Sequence, residues 1–235
     1  DDDVVDLTNL QRQVIHDSAA VGTPKVASAA ARVRALNLDV EVTERPQRLT
    51  RDNALHLLRG HDLVLDGTDN FPTRYVVNDA CAELGIPLVW ASVYRTQAQV
   101  SVFWKNPPTD AVGVDLRDLF PVPPDPATVP SCGDAGVLGA LTGQVGSMMA
   151  TEAIKLICGV GEPLLGRVAF LDVLGGRQFE IPLHPRTEDF PEDDPEDAYC
   201  QLPDIPSVSA RARAAELASP TPPVVIDVRE PAEVA

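Results

Sequence analysis

The chain has 235 residues, of which 44% are hydrophobic and 23% charged. This composition excludes a wholly disordered or collagen-like protein and predicts one large domain, or one plus part of another. The net charge of −16 at pH 7 disfavours nucleic acid and anionic membranes as partners, because both are negatively charged. No apolar run approaches the roughly 18 residues that span a bilayer, and no signal-peptide pattern opens the chain, so we expect a soluble, cytoplasmic protein.

The first half of the chain alternates between helix and strand patterns. Residues 2–5 match the end of a strand, and a helix then begins with Thr23 as N-cap and Pro24 at its first position. Further predicted elements are a strand at 40–43, a short helix at 52–58, a strand at 62–66, a helix from about 72 to 84 closed by Gly85, and a strand at 87–91. This alternation predicts an α/β domain with a doubly wound, Rossmann-like and mainly parallel sheet.

The second half begins with a predicted strand at 99–104 and then a proline-rich crossing. Residues 107–130 hold seven prolines, and so long an irregular segment inside a domain is typical of a functional region. A long helix at about 138–158 follows. Two strands at 167–171 and 177–183 are expected to form an antiparallel ribbon that finishes the sheet.

The composition changes near the end of the first predicted domain, residues 1–184. Between Glu188 and Asp197 seven of ten residues are acidic, a composition that cannot pack and stays solvated. We therefore expect residues 185–206 to be a linker and residues 207–235 to begin a second domain.

Four cysteines are spread along the chain: Cys81, Cys132, Cys158 and Cys200. None belongs to a C-x-x-C pair, so neither a disulfide framework nor a zinc site is indicated, and a reducing compartment fits. Cys81 and Cys158 lie inside predicted helices, where a free cysteine is usually a small buried hydrophobe.

The string from Thr8 to Gln13, followed by Lys25, indicates an anion site. Arg12 and Lys25 would lie near a helix start, where free N–H groups and the helix dipole also attract negative charge. A polyphosphate is the expected ligand. The alternative is that both residues are ordinary surface charges.

A second string places Asp66, Asp69 and Asn70 directly after a predicted strand. In an open parallel sheet the carboxyl ends of the strands form the ligand crevice, and Asp69 could hold Mg²⁺ there together with the phosphates of the ligand. The alternative is a structural role, in which Asp69 or Asn70 caps the following helix.

Together the strings resemble the adenylyltransferases of the ThiF/MoeB type. These activate ubiquitin-like sulfur carriers in molybdopterin and thiamine biosynthesis and are related to ubiquitin-activating enzymes. The resemblance covers residues 1 to about 183 and rests on four strings in order: Asp3-x-Val5-x-x-Thr8-Asn9-Leu10-Gln11-Arg12-Gln13, Val21-Gly22-x-Pro24-Lys25, Asp66-x-Thr68-Asp69-Asn70 and Thr151-Glu152-Ala153-Ile154-Lys155.

The resemblance implies a reaction and a set of roles. The enzyme would use ATP and Mg²⁺ to adenylylate the C-terminal glycine of a ubiquitin-like sulfur carrier, and relatives are homodimers. Asp1 would bind the ribose of ATP, and Asp69 with Asn70 would handle magnesium and phosphate. The phosphates would be bound by Thr8, Asn9, Leu10, Gln11, Arg12 and Lys25.

Cys132 lies where the proline-rich crossing meets the long predicted helix. In fusion members of this family a cysteine in this context is the candidate for a thioester or persulfide link to the carrier. A helix N-terminus lowers the pKa of a thiol and makes the thiolate available. The alternative is again a small buried hydrophobe.

Three features depart from the family pattern. Residues 113–121 contain no cysteine and Cys200 stands alone, so the structural zinc of many relatives is expected to be absent. The glycine-rich loop that should precede Asp1 is not in the chain, which implies that the first βα unit is missing. Residues 225–231 resemble the start of a rhodanese-like sulfurtransferase domain, which would be truncated here.

Two other classes of function remain open at this stage. A nicotinamide-dependent oxidoreductase could use the same fold, since a fold does not determine a function. A non-catalytic module could bind the C-terminal tail of a ubiquitin-like protein without adenylylating it. Both alternatives predict no exchange of pyrophosphate into ATP.

Overall fold

A five-stranded sheet flanked by helices makes up the part of the chain that the structure describes. The computed structural model describes residues 1–122 and 136–186. Within these ranges the elements are, in order, 3-10 turns at Leu7–Asn9 and Ser18–Ala20, α1 (Lys25–Leu36), α2 (Arg51–Leu58), β1 (Val64–Asp66), α3 (Phe71–Leu84), β2 (Leu88–Tyr94), β3 (Gln97–Phe103), α4 (Leu116–Leu119), α5 (Gly139–Cys158), β4 (Arg167–Asp172) and β5 (Arg177–Pro182). Cys132, most of the predicted linker and residues 207–235 lie outside the described residues, and the predictions for them stay predictions.

The sheet has the order β1-β2-β3-β4-β5. β1 and β2 are parallel and are joined across α3, whereas the other three pairs are antiparallel. Strands β2 and β3 are joined by a two-residue turn in which Arg95 has a φ of 52°, a left-handed conformation that such hairpin turns require. The predicted α/β fold with antiparallel C-terminal strands is confirmed. The sheet was expected to be mainly parallel, and of its four described strand pairs one is parallel and three are antiparallel.

Two predicted strands do not form, which is one reason why the described sheet has so few parallel pairs. Residues 40–43 have no regular secondary structure, and residues 2–5 make only an isolated bridge between Val4 and Pro24. A strand needs a neighbouring chain for its backbone hydrogen bonds, and no described strand lies alongside either segment. The alternating pattern therefore did not show whether either segment has a partner strand.

The predicted helices all form in the described ranges, and none of them is long and apolar enough to cross a membrane. Gly85 and Gly159 end α3 and α5 in the left-handed conformation, with φ of 72° and 61°. The prediction of Thr23 as the N-cap of α1 is wrong, because Pro24 takes that position. The Thr23 hydroxyl instead donates to the carbonyl of Ala20 at 2.6 Å and closes the preceding turn.

Each face of the sheet carries a separate apolar layer. Helix α5 packs on one face, where Leu141 and Val145 contact the layer formed by β2, β3 and β4. On the other face α3 and α4 cover Trp90 and Phe103. Burying one large apolar side chain contributes about 1.5–3 kcal/mol, so these layers hold α3 and α5 firmly on either side of the carboxyl end of β1.

The string from Thr151 to Lys155 has a structural role. Glu152 is 4% exposed and accepts hydrogen bonds from the backbone N–H of Leu164 at 2.8 Å and from Nζ of Lys155 at 2.6 Å. Lys155 also donates to the carbonyl of Glu162 at 3.1 Å. This string therefore ties α5 to the turn that leads into β4.

We expect Glu152→Ala to lower the free energy of unfolding by about 2–3 kcal/mol, because it leaves a buried N–H and a partly buried ammonium without their acceptor. Urea unfolding measures the change. Glu162→Ala is the matched control, since the Glu162 side chain is 89% exposed and its loss should cost less than about 0.5 kcal/mol. Equal losses in the two variants would contradict a structural role for Glu152.

Candidate functional site

A cavity of about 1040 Å³ opens at the carboxyl end of β1, between α1, α3 and α5. Its volume lies at the upper end of the roughly 300–1,000 Å³ that is typical of ligand pockets. The lining combines apolar side chains of the sheet and of α5 with charged ones. The charged residues are Asp1, Asp2, Asp3, Arg12, Lys25, Arg48, Asp66, Asp69 and Arg74. Such a lining can hold a ligand that carries both a flat apolar group and a chain of charges.

The structure brings five of the nine predicted site residues that it describes to this one cavity. Arg12, Lys25 and Asp69 all line it, as do Asp1 and Asn70. Four other predicted residues are not part of the lining: Thr8, Asn9, Leu10 and Gln11.

Thr8 and Asn9 instead shape the turn that presents Arg12. Asp6 accepts hydrogen bonds from the backbone N–H of Thr8 at 2.8 Å and from its hydroxyl at 2.6 Å, while Asn9 accepts from the N–H of Asp6 at 3.0 Å. These reciprocal bonds form a capping box. Arg12 then donates to the Thr8 carbonyl at 3.1 Å, so its guanidinium is held beside the turn.

The N-terminal end of α5 fixes the same turn from the other side. The Thr142 hydroxyl lies 3.1 Å from the Arg12 carbonyl and 2.7 Å from the Gly139 carbonyl, and its one proton can be donated to either. Gly139 lies directly against the Gln11 carbonyl, and a Cβ at this position would overlap with that oxygen. A residue larger than glycine would therefore push the Arg12 turn away from the cavity.

Lys25 is the first residue of α1 and is paired with Asp3. Its Nζ lies 2.5 Å from a carboxylate oxygen of Asp3, and its backbone N–H donates to the Asp3 carbonyl at 2.9 Å. The hydrogen bond from Lys25 lowers the pKa of the Asp3 carboxyl. An ammonium has three N–H donors, so this pairing orients Lys25 at the cavity wall and leaves it donors for an anion.

Asn70 and Asp69 divide the two roles that the sequence left open. Asn70 caps α3, because its side-chain oxygen accepts from the N–H of Thr73 at 2.9 Å. Among the described residues the Asp69 carboxylate has no hydrogen-bond or ion-pair partner. Mg²⁺ prefers one or two carboxylates together with substrate phosphates, and an unengaged carboxylate on the wall of a cavity that also holds cations fits that preference.

Asp66 differs from Asp69 although both belong to one string. Asp66 is 2% exposed, and burial raises the pKa of its carboxyl, opposed by the backbone N–H of Thr68, which donates to it at 2.8 Å. This carboxyl is embedded at the end of β1, whereas Asp69 is exposed. Asp69 is therefore the better candidate for contact with a ligand.

The sequence did not identify two further cations of the lining, Arg48 and Arg74. Arg48 is exposed on the segment before α2, where its carbonyl accepts from the side chain of Asn53 at 2.8 Å. Nothing in the local pattern distinguishes it from other surface arginines. Arg74 is 4% exposed, and the signal that could have found it is its position on the sheet-facing side of α3, one turn after Asp69.

The described cysteines differ from each other in exposure. Cys81 is buried as predicted, but the prediction for Cys158 is wrong, because Cys158 is exposed. Leu141, Val145 and Met149 mark the face of α5 that meets the sheet, and Cys158 lies off that face in the last turn. Within residues 1–122 and 136–186, no three His, Cys, Asp or Glu side chains approach closely enough to hold a metal ion.

We expect a thiol reagent at about pH 8 to modify Cys158 quickly and to leave Cys81 unmodified in the folded protein. Burial, and secondarily the nearby charge of Asp66, raises the pKa of Cys81 to about 12, so almost no thiolate is present. Peptide mass mapping after partial labelling measures both sites, and labelling in urea is the control. Fast labelling of Cys81 without urea would contradict this prediction.

Comparisons with known proteins agree on a family. The ThiF family model matches residues 1–192. Over 174 residues the chain is 53% identical to "Probable adenylyltransferase/sulfurtransferase MoeZ" of Mycobacterium tuberculosis, covering 74% of this chain and 44% of that protein. It is 47% identical to "Sulfur carrier protein adenylyltransferase" of Thermus thermophilus, covering 78% and 69%. It is 45% identical to "Adenylyltransferase and sulfurtransferase MOCS3" of Mus musculus, covering 80% and 40%. The chain thus spans less than half of MoeZ and of MOCS3.

A solved structure supports the fold. The crystal structure of E. coli MccB with ATP matches with a TM-score of 0.65 over 80% of this chain and 55% of that one, at 17% sequence identity. At this identity the likeness shows a common backbone architecture and nothing about the ligand of this chain.

Proposed function

The chain belongs to the ThiF family. From this premise we propose that the protein binds ATP in this cavity and adenylylates the C-terminal glycine of a ubiquitin-like sulfur-carrier protein. The observation that carries the proposal is that Arg12, Lys25 and Asp69, remote from one another in sequence, line a single cavity. The names of the relatives support the same activity.

The nucleophile in this reaction is the carboxylate of the carrier's last glycine. An α-carboxyl group has a pKa of about 3.5, so it is already ionised at neutral pH and needs no general base. One of its oxygens attacks the α-phosphorus of ATP, the bond to the bridging oxygen breaks, and pyrophosphate leaves with the electron pair. The product is an acyl-adenylate.

The remaining task is to align two anions and to stabilise the charge that moves onto the leaving pyrophosphate. Arg12 and Lys25 are fixed at the cavity wall by Thr8 and Asp3, so little reorganisation is needed when the phosphates arrive. Preorganised cations of this kind stabilise a transition state better than mobile ones do. We assign both residues to the phosphates of ATP.

Asp69 is the residue proposed to hold Mg²⁺, as its unengaged carboxylate in the described structure allows. Mg²⁺, when bound, neutralises charge on the phosphates during their transfer. Asn70 keeps Asp69 in place by capping α3. Asp1 is at the cavity wall, where its carboxylate can accept from ribose hydroxyls.

We assign Thr8, Asn9, Leu10 and Gln11 an indirect role in phosphate binding. None of these residues lines the cavity, but they form the turn that presents Arg12. Their substitution should therefore weaken ATP binding through the position of Arg12.

Sulfur transfer would follow adenylylation. A sulfur donor, which we infer to be a rhodanese-like domain begun by residues 207–235, would convert the adenylate to a thiocarboxylate. Cys132 is the candidate for a covalent link to the carrier at this later stage. Its removal should therefore leave adenylylation intact.

We further infer that the protein is a cytoplasmic homodimer. Ile154 and Ile157 on the outward side of α5 are 56% and 70% exposed, and apolar residues of this size on one helix are typical of a surface that a second subunit covers. The free thiols fit a reducing compartment. Analytical ultracentrifugation tests the oligomeric state.

The decisive experiment is exchange of labelled pyrophosphate into ATP by the full-length protein, in the presence of candidate sulfur carriers. We expect exchange only with a carrier that retains its terminal glycine. A carrier lacking that glycine is the matched control. Absence of exchange with every carrier would refute the adenylyltransferase and would favour a nicotinamide-dependent oxidoreductase or a non-catalytic binder.

The same assay places Cys132 in the reaction sequence. Cys132→Ala should retain pyrophosphate exchange and lose thiocarboxylate formation, measured by mass spectrometry of the carrier. Loss of exchange in this variant would contradict a role after adenylylation.

A further inference from the structure

Arg74 is a charged side chain that is almost completely buried, beside the candidate magnesium ligand. It lies one turn into α3 and is 4% exposed. Its guanidinium carbon is 5.2 Å from the centre of the Phe71 ring and 5.8 Å from that of Trp90. Burial of a cation is costly unless hydrogen bonds and stacking compensate for the lost water.

The hydrogen bonds of Arg74 converge on the turn that carries Asp69. Both Nε and Nη2 donate to the carbonyl of Thr68, at 3.1 and 2.8 Å. Nη1 donates to the hydroxyl of Ser92 on β2 at 3.0 Å. The peptide group that Arg74 holds is the one joining Thr68 to Asp69, so the backbone that leads into Asp69 is tied to the sheet.

We propose that Arg74 is a positioning residue that fixes the Asp69 carboxylate through the Thr68 carbonyl and thereby sets how strongly Mg²⁺ promotes ATP binding. This inference rests on the proposed function. The turn contains Gly67, and without Arg74 the Thr68 carbonyl would lose both of the hydrogen bonds that Arg74 donates to it. A turn free to rotate would direct the Asp69 carboxylate away from the phosphates.

The rigid fork of arginine is needed for this arrangement. A guanidinium can donate from Nε and Nη2 to one acceptor and from Nη1 to another while it stacks on aromatic rings. A lysine keeps the positive charge but cannot make the same set of bonds. Arg74→Lys therefore separates the geometry of this residue from its charge.

A double-mutant cycle with Asp69 tests the proposal. Calorimetry measures the dissociation constant of ATP, with Mg²⁺ and with EDTA, for the wild type, Arg74→Lys, Asp69→Asn and the double variant of the full-length protein. We expect Arg74→Lys to weaken ATP binding about tenfold with Mg²⁺ and less than about twofold with EDTA. In the Asp69→Asn background it should have almost no further effect.

Two results would overturn the proposal. One is equal weakening of ATP binding with Mg²⁺ and with EDTA, and the other is additivity of the two substitutions, since either would mean that Arg74 does not act through Asp69. If wild-type ATP binding does not depend on Mg²⁺, the magnesium role of Asp69 fails, and this inference fails with it. If the cycle behaves as expected but no carrier supports pyrophosphate exchange, only the proposed function fails.

A matched control and a milder variant complete the design. Arg117 lies over the Tyr75 ring at 5.0 Å and pairs with Asp79, yet it does not line the cavity, so Arg117→Lys should not change ATP affinity. Should Arg74→Lys not fold, Ser92→Ala removes the Nη1 acceptor alone. It is expected to weaken Mg²⁺-dependent ATP binding two- to fivefold, roughly the loss of a single hydrogen bond. No change in that variant would overturn the proposal.

Discussion

Asp69→Asn is expected to lower pyrophosphate exchange about 10³-fold at saturating carrier. The amide keeps the size of the side chain but removes the negative charge that is proposed to hold Mg²⁺ against the phosphates. Asp69 has no partner among the described residues, so the free energy of unfolding should change by less than about 0.5 kcal/mol. Exchange rates over a range of Mg²⁺ concentrations measure the effect.

Asp62→Asn is the matched control for this substitution. Asp62 is an exposed carboxylate shortly before β1 and does not line the cavity, so it should retain full exchange. If Asp69→Asn also retained more than a tenth of the wild-type rate, Asp69 would not be the magnesium ligand.

Arg12→Ala is expected to lower pyrophosphate exchange about 10²-fold or more, the usual effect of removing one preorganised donor to a developing charge. A guanidinium on the phosphates acts mainly in the transition state, so kcat should fall more than KM for ATP rises. Steady-state exchange at several ATP concentrations separates the two parameters.

Arg32→Ala tests whether loss of any nearby arginine has the same effect. Arg32 is exposed on α1 and does not line the cavity, so its removal should leave both parameters close to those of the wild type. Similar losses for Arg12→Ala and Arg32→Ala would show that general surface charge, and not a phosphate contact, underlies the result.

The helices of this domain were predictable because their end signals are local. Asn70, Gly85 and Gly159 act on backbone groups within a few residues of themselves, and such contacts depend only on neighbouring sequence. The strand predicted at 40–43 failed for the opposite reason. Alternation indicates an extended chain, but a ladder needs a second segment at the right distance.

The sequence predicted Arg12, Lys25 and Asp69 of the cavity lining but missed Arg48 and Arg74. The order of the strings pointed to Arg12, Lys25 and Asp69 together. The sequence assigned magnesium to Asp69, but it gave no sign that Asp66 is buried while Asp69 is exposed. It also gave no sign that Asp3 holds Lys25, because that pair depends on how the segment before the Arg12 turn folds back on the start of α1.

The burial of Arg74 and the exposure of Cys158 could not be predicted from local sequence patterns. An arginine inside a helix is usually exposed, and the burial of Arg74 depends in part on β2, where Trp90 offers a ring and Ser92 an acceptor. Cys158 was expected to be buried, but it lies off the face of α5 that meets the sheet. Neither outcome could be obtained without the packing of helices on strands.

The residue order alone determined the family resemblance, most of the helix ends and the candidates Arg12, Lys25 and Asp69, because each depends on local spacing or on a linear motif. Folding in three dimensions decided three things: the number of parallel pairs among the described strands, the burial of Asp66 next to an exposed Asp69, and the burial of Arg74. These depend on contacts between segments that are remote in sequence, where the energy of a buried charge or an unpaired strand is set by its neighbours and not by its own residue type.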